Sequence, residues 1–175
     1  MVRYEIDPSH TNVGFSAKHL AVSTVHGHFS KFDGFFEGPD DDFTQARGEV
    51  KIDVASLSTK TDQRDNNLRS ADFFDAEKFP YMTYKVTGVQ HLEGDTYKVT
   101  GDLTIKEVTR PVTLDLEYLG TIASPFGDQR AGFSATTEIS HKDWGITFNM
   151  ALEGGGVVVG DKVKLDIEAE AILQK

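Results

Sequence analysis

The final stretch of the chain sets the terms for the rest. Between residues 163 and 171, Val163, Leu165, Ile167, Ala169 and Ala171 alternate with Lys164, Asp166, Glu168 and Glu170. A period of two places each set on its own face of an extended chain, one for a dry interior and one for water. The same period recurs upstream. Val13, Phe15 and Ala17 share a face, as do Ala46, Gly48, Val50, Ile52 and Val54 against Arg47, Glu49, Lys51 and Asp53. Tyr97, Val99, Leu103 and Ile105 alternate, and so do Val112, Leu114, Leu116 and Tyr118. The Phe-rich run from Gly27 to Gly38 reads as a strand that bends or bulges at Gly34. Glu93-Gly94-Asp95 reads as a short hairpin turn, and "GPDDDFTQ", residues 38–45, as a turn. The pattern predicts an all-β chain of about eight strands.

Strands that each carry one apolar face must hide it, in a sandwich or in a sheet closed on itself. Periodicity alone does not choose between the two. Closure would remove exposed edges, and about eight strands leave an interior that is filled by side chains or holds one slender ligand. The 175 residues suffice for one domain, and no repeat or linker divides them. Twelve Phe, five Tyr and one Trp supply large apolar area.

The formal charge of -10 and the lack of a basic stripe argue against nucleic acid as a partner. Without cysteine, disulfides and thiolate chemistry are excluded. No apolar run reaches transmembrane length, and "MVRYEIDPSH" holds no apolar signal region. The chain is therefore expected to be cytoplasmic as written, or periplasmic or secreted if it is a trimmed mature form.

One segment breaks the alternation. Residues 64–80, "RDNNLRSADFFDAEKFP", carry the helical signal of the chain, with a helix expected over 59–75. Thr59 and Asp62 make a weak capping box, Arg64 and Leu68 share a face, and Pro80 forbids continuation. The plain alternative is a helix that only caps one end of the fold, burying Leu68, Phe73 and Phe74.

The segments "YEIDPSHTNVGFSAKH", "GHFSKFDG", "SLSTKTDQRDNNLRSADFFDAEKFP", "GDLTIKEVTRPV" and "KDWGI" occur in this order along nearly the whole chain. Together they resemble the YceI-like family, the polyisoprenoid-binding, lipocalin-like barrels. The resemblance implies an all-β fold, an eight-stranded antiparallel barrel with one crossover helix near residues 60–75. It also implies a long isoprenoid lipid as the bound ligand, lying in an apolar tunnel. Asn66-Asn67 stands where the family pattern has Gly-His, and His10-Thr11 where it has His-Ser.

A slender apolar ligand needs a groove of aromatic and aliphatic groups with few polar contacts. The candidate lining residues are Phe15, Phe29, Phe36, Leu68, Phe73, Phe74, Tyr84, Phe133, Trp144, Phe148 and Met150. Each is equally a candidate for ordinary core. Arg64 and Asp65 are candidates for a polar head group, or for an ion pair that pins the helix. His19 and His10 flank the first long strand and are candidates for a polar or pH-sensitive role. His26 and His28 have a spacing able to share an ion, but no third ligand stands nearby, so no metal and no cofactor is expected. No G-x-S-x-G, HExxH, Walker or GxGxxG motif occurs, and Gly154–Gly160 reads as a hairpin connection.

Carriage, storage or sequestration of a lipid is the expected function. The rivals are an enzyme acting on a lipophilic substrate through His10, His19, Arg64 or Asp65, and a solid-core interaction module. A homodimer through an outer strand face stays open.

Overall fold

The computed structural model describes residues 1–19, 23–40, 42–71, 73–146 and 159–175, with side chains other than those of His19, Val159 and Gly160. The strands are β1 (Val2–Ile6), β2 (Asn12–His19), β3 (Ser23–Phe29), β4 (Phe32–Gly38), β5 (Arg47–Asp53) and β6 (Leu57–Ser58). After the helix α1 (Asp62–Arg69) come β7 (Tyr81–His91), β8 (Thr96–Ile105), β9 (Val108–Ala123), β10 (Gln129–Ser140) and β11 (Val159–Leu173).

Eleven strands form one antiparallel sheet, but three pairs of them continue one another. β11 pairs with β1 near Leu173 and with β2 from Glu168 to Val159, so β1 and β2 are two halves of one interrupted stave. β4 pairs with β1 while β3 pairs with β2, which makes β3 and β4 the second stave. β5 beside β4 and β6 beside β3 make the third. Five uninterrupted strands follow, and β11 returns to the first stave. Eleven strands less three joins gives eight staves, each hydrogen-bonded to the next in sequence and the last to the first. The result is a closed up-and-down barrel, in which the two-residue β6 pairs only with β3 and has α1 beside it.

The interruptions have local causes. In the first stave, Asp7 caps a 3-10 turn over Pro8–His10, and Pro8 donates no backbone hydrogen bond. In the second, the break falls at Ser30 and Lys31, not at Gly34 as expected. Gly34 stays within β4, where a side chain would meet Ile6 Cδ1 at 2.8 Å, so its role is to admit a neighbour. In the third, Asp53 caps the turn Val54–Ser56.

At one end of the barrel, the helix end, lie the connection 59–80 with α1, the turn between β8 and β9, and the 3-10 turn His141–Trp144 after β10. At the far end lie the N-terminus, the connection 39–46, the hairpin turn 92–95 and the turn 124–128. The helix is shorter than the expected 59–75. It ends at Arg69, and a chain of turns follows, with Phe74 N–H reaching the Leu68 carbonyl at 3.0 Å. Thr59 does not cap it; the N-cap is Thr61, which makes no side-chain cap bond. Among the described residues, no helix is long and apolar enough to cross a membrane.

Candidate functional site: the barrel channel

The inward faces of the staves enclose an elongated cavity of about 340 Å3, lined almost wholly by apolar atoms. On β11 the lining residues are Val163, Leu165, Ile167, Ala169 and Ala171, the set picked out by the alternation. At about 3.3 Å per residue and a tilt of about 40°, that run spans about 20 Å of barrel axis. The cavity is thus a channel and not a round pocket.

Of the candidate lining residues, Phe15, Phe29, Phe36, Leu68, Phe73, Phe74, Tyr84 and Phe133 line it. They fall into two groups. Phe15, Phe29 and Phe74 form one ring cluster, with centroids 5.4 and 6.4 Å apart in successive pairs. Leu68 and Phe73 pack against the same core, so the segment after Arg64 does turn its apolar residues inward. At the far end, Phe36 meets Phe133 edge-on at 5.1 Å and stacks on Tyr4 at 5.1 Å. Trp144 is buried in the core but is not among the channel-lining residues; its indole N–H donates to the Leu103 carbonyl at 2.8 Å. Phe148 and Met150, and the side chain of His19, lie outside what the structure describes.

Arg64 and Asp65 do not line the channel. Asp65 is buried, and its carboxylate accepts from the Thr59 backbone N–H at 2.8 Å and from the Thr59 hydroxyl. Arg64 Nε donates to the same hydroxyl at 2.7 Å, and its Nη2 donates to the Thr59 carbonyl at 2.8 Å. Thr59 is therefore gripped from both sides, and the helix is fixed to the chain that leaves β6. This geometry matches the pinning role more closely than a site at the channel mouth.

Among the described residues, the channel wall carries two buried titratable side chains. Tyr84 donates its hydroxyl to the Val112 carbonyl at 2.9 Å, and burial, helped by the negative charge of Asp102, raises its pKa above the ordinary tyrosine value. His141 lines the wall, and its Nδ1 is paired with the Ile146 carbonyl. A carbonyl only accepts, so Nδ1 carries the proton. Among the described residues, no buried side-chain nitrogen or oxygen lacks a partner. The wall thus presents apolar surface and little else to an occupant.

Sequence reasoning missed Phe43, Met82, Leu114 and Ile146, all of them on the lining. Leu114 belonged to a recognised alternating run. Phe43 is different: it is a lone aromatic in an acidic turn, and an aromatic with no apolar neighbours in sequence is itself a signal that the turn folds inward.

The structure also gathers Asp7, His10 and Glu170 within reach of a common ion. Arg130 already occupies that place, with Nη1 2.9 Å from Asp7 Oδ2 and 2.8 Å from Glu170 Oε1. The group is an ion-paired clamp joining the first stave to β10 and β11. His26 and His28 gather no third ligand among the described residues.

Comparison with known proteins agrees with this architecture. The YceI-like domain model matches residues 4–171. A UPF0312 protein of Staphylococcus aureus strain bovine RF122 / ET3-1 is 40% identical over 171 residues, 97% of each chain. Among solved structures, the YCEI protein of Campylobacter jejuni superposes with a TM-score of 0.78 at 30% identity, over 90% of both chains. BcnA of Burkholderia cenocepacia reaches 0.82 at 22% identity, covering 94% of this chain and 98% of its own. A polyisoprenoid binding domain from Saccharophagus degradans reaches 0.73 at 15% identity, covering 99% and 100%, and shares the fold. With a family match over nearly its whole length and a closed barrel around an apolar channel, the chain belongs to the YceI-like family.

Proposed function

We propose that the barrel binds one long apolar lipid of isoprenoid type, polyprenyl or quinone-like, in its channel, for carriage, storage or sequestration. The observation that carries this reading is the channel itself: elongated and almost wholly apolar, with no unpartnered buried side-chain nitrogen or oxygen among the described residues. Burial of a hydrocarbon chain there is favourable by about 25 cal/mol per Å2 before association costs are subtracted. The polyisoprenoid binding domain from Saccharophagus degradans shares the fold and supports the choice of ligand class.

A carrier fits better than an enzyme. The wall is almost wholly apolar, and Tyr84, buried on it, donates its proton to the Val112 carbonyl. The solid-core module conflicts with the open channel.

The test is calorimetric titration with farnesol, geranylgeraniol and longer polyprenols at two temperatures. The expected result is affinity that rises with chain length until the channel is full, with a negative heat-capacity change. Affinity indifferent to chain length, or no binding by any of them, contradicts the reading.

A further inference from the structure

Among the described residues, the segments that cover the two ends of the barrel are held in different ways. At the helix end the closing segment is bolted to the wall. Thr59 is held by Asp65 and Arg64, and Arg69 donates to the carbonyls of Ala55 at 3.0 Å and Leu57 at 2.8 Å. At the far end the closing segment is the connection 39–46, which carries a 3-10 turn over Phe43–Gln45. Its bonds among the described residues stay within itself. The Asp42 carboxylate accepts from the Thr44 N–H and from Gln45 Nε2, both at 2.9 Å, and the Ala46 N–H reaches the Phe43 carbonyl at 3.0 Å.

The turn runs beside β7, and the side chain it sets into the barrel is one half-buried ring. Phe43 lies 5.0 Å from Tyr118, 6.0 Å from Phe133, 6.2 Å from Tyr97 and 6.4 Å from Phe36, centroid to centroid. Beyond it is a second, smaller cavity of about 190 Å3. Phe36, Phe43 and Ala46 line both cavities, so they are the wall between them. Phe36 and Ala46 belong to or abut strands, whereas Phe43 stands on a turn that, among the described residues, makes no hydrogen bond to the sheet.

The outer cavity differs in chemistry from the channel. Gln129 Nε2 donates to the Tyr4 hydroxyl at 2.8 Å, and the hydroxyls of Tyr118 and Thr121 pair with each other. These groups can both give and accept hydrogen bonds. Among the described residues, the one charged side chain on its wall is Asp40, a carboxylate that repels phosphate. Around this end Leu92, Leu119, Ile122 and Phe126 are exposed, so an arriving lipid meets apolar side chains outside the barrel as well as inside.

We propose that Phe43 is the door through which the lipid enters and leaves, and that the outer cavity takes an uncharged, oxygen-bearing head such as an alcohol or a quinone carbonyl. This inference rests on the lipid reading above.

The test is release of labelled geranylgeraniol from the loaded protein during a chase with excess unlabelled alcohol. Phe43→Ala is expected to speed release on the order of tenfold, since it deletes the ring contacts that hold the door. Phe43→Leu gives a smaller acceleration and stands in if the alanine variant fails to fold, while Phe43→Trp slows release. Arg69→Ala loosens the helix end without touching the channel and is expected to leave the release rate unchanged. Geranylgeranyl diphosphate is expected to compete on the order of tenfold more weakly than the alcohol, because Asp40 faces its head. Faster release from Arg69→Ala with silent Phe43 variants moves the door to the helix end and overturns the proposal. Competition by the diphosphate at equal strength overturns the head assignment. Binding by wild type with no effect at Phe43 defeats the door alone, whereas no binding by wild type defeats the lipid reading and the door together.

Discussion

Phe15 on β2 and Gly27 on β3 are directly paired across the barrel wall, and the Phe15 ring occupies the space a side chain at 27 would fill. A Cβ added to Gly27 would stand 2.3 Å from Phe15 Cζ. Tyr84 lies over Gly101 in the same manner, with an added Cβ 2.6 Å from Tyr84 Cζ. Aromatic rings laid over strand glycines are a recurrent way to cover a bare backbone. Here the arrangement has a functional consequence. Large inward rings fold flat against the wall, so a chain with 12 Phe keeps an open channel and does not fill it.

Gly27→Ala should therefore push the Phe15 ring into the channel. The far end of the ring can swing, so the stability cost is modest, about 1–2 kcal/mol in denaturant unfolding. The larger effect is on capacity: long polyprenols should bind more weakly while farnesol is little affected. Unchanged stability together with unchanged chain-length dependence would show that the ring does not hold the channel open.

Asp65→Ala removes the acceptor of both the Thr59 N–H and the Thr59 hydroxyl in a buried place. Leaving such donors unpaired costs about 2–3 kcal/mol. The unfolding midpoint should fall accordingly, with alcohol affinity retained at temperatures where the variant is folded. If stability stays at the wild-type level while affinity falls, the Arg64–Asp65 pair serves the ligand and not the helix.

Acid sensitivity should trace in part to Asp7. The Ser9 hydroxyl foremost, then His10, the Ser9 N–H and Arg130, hold its pKa down from 3.8 to about 2 against the cost of burial. The folded carboxyl thus binds a proton more weakly than the unfolded one. Its contribution is full above the unfolded value and is lost as pH falls from about 4 to about 2. Asp7→Asn should be less stable than wild type at neutral pH, and the two should converge across that window. Stability curves that stay parallel through it would contradict the assignment.

Much of the wall is legible in the sequence. The five inward residues of β11 follow from period two alone, because nothing on that strand competes with alternation. Closure was not legible from periodicity, since a sandwich buries the same faces; pairing of β11 with the first stave decides it. The expected helix is too long because Phe73 and Phe74 read in sequence as a continuing apolar stripe. In fact Ser70 is extended, ψ 169°, which ends the helix at Arg69, and turns carry the two rings inward. Gly34 looked like a bend because a glycine in a strand has two meanings, a kink or a close approach, and only the position of Ile6 tells them apart. Phe43 stayed hidden because its partners, Phe36, Tyr97, Tyr118 and Phe133, are remote from it in sequence or separated by turns.

The central claim is that the channel is a lipid site. Native mass spectrometry of the protein as purified, followed by organic extraction, tests it most directly. The account predicts a one-to-one complex whose extra mass is recovered in the organic phase as an isoprenoid lipid, or an empty barrel that fills when polyprenols are added. A barrel that is empty in repeated preparations and stays empty with added polyprenols would contradict it.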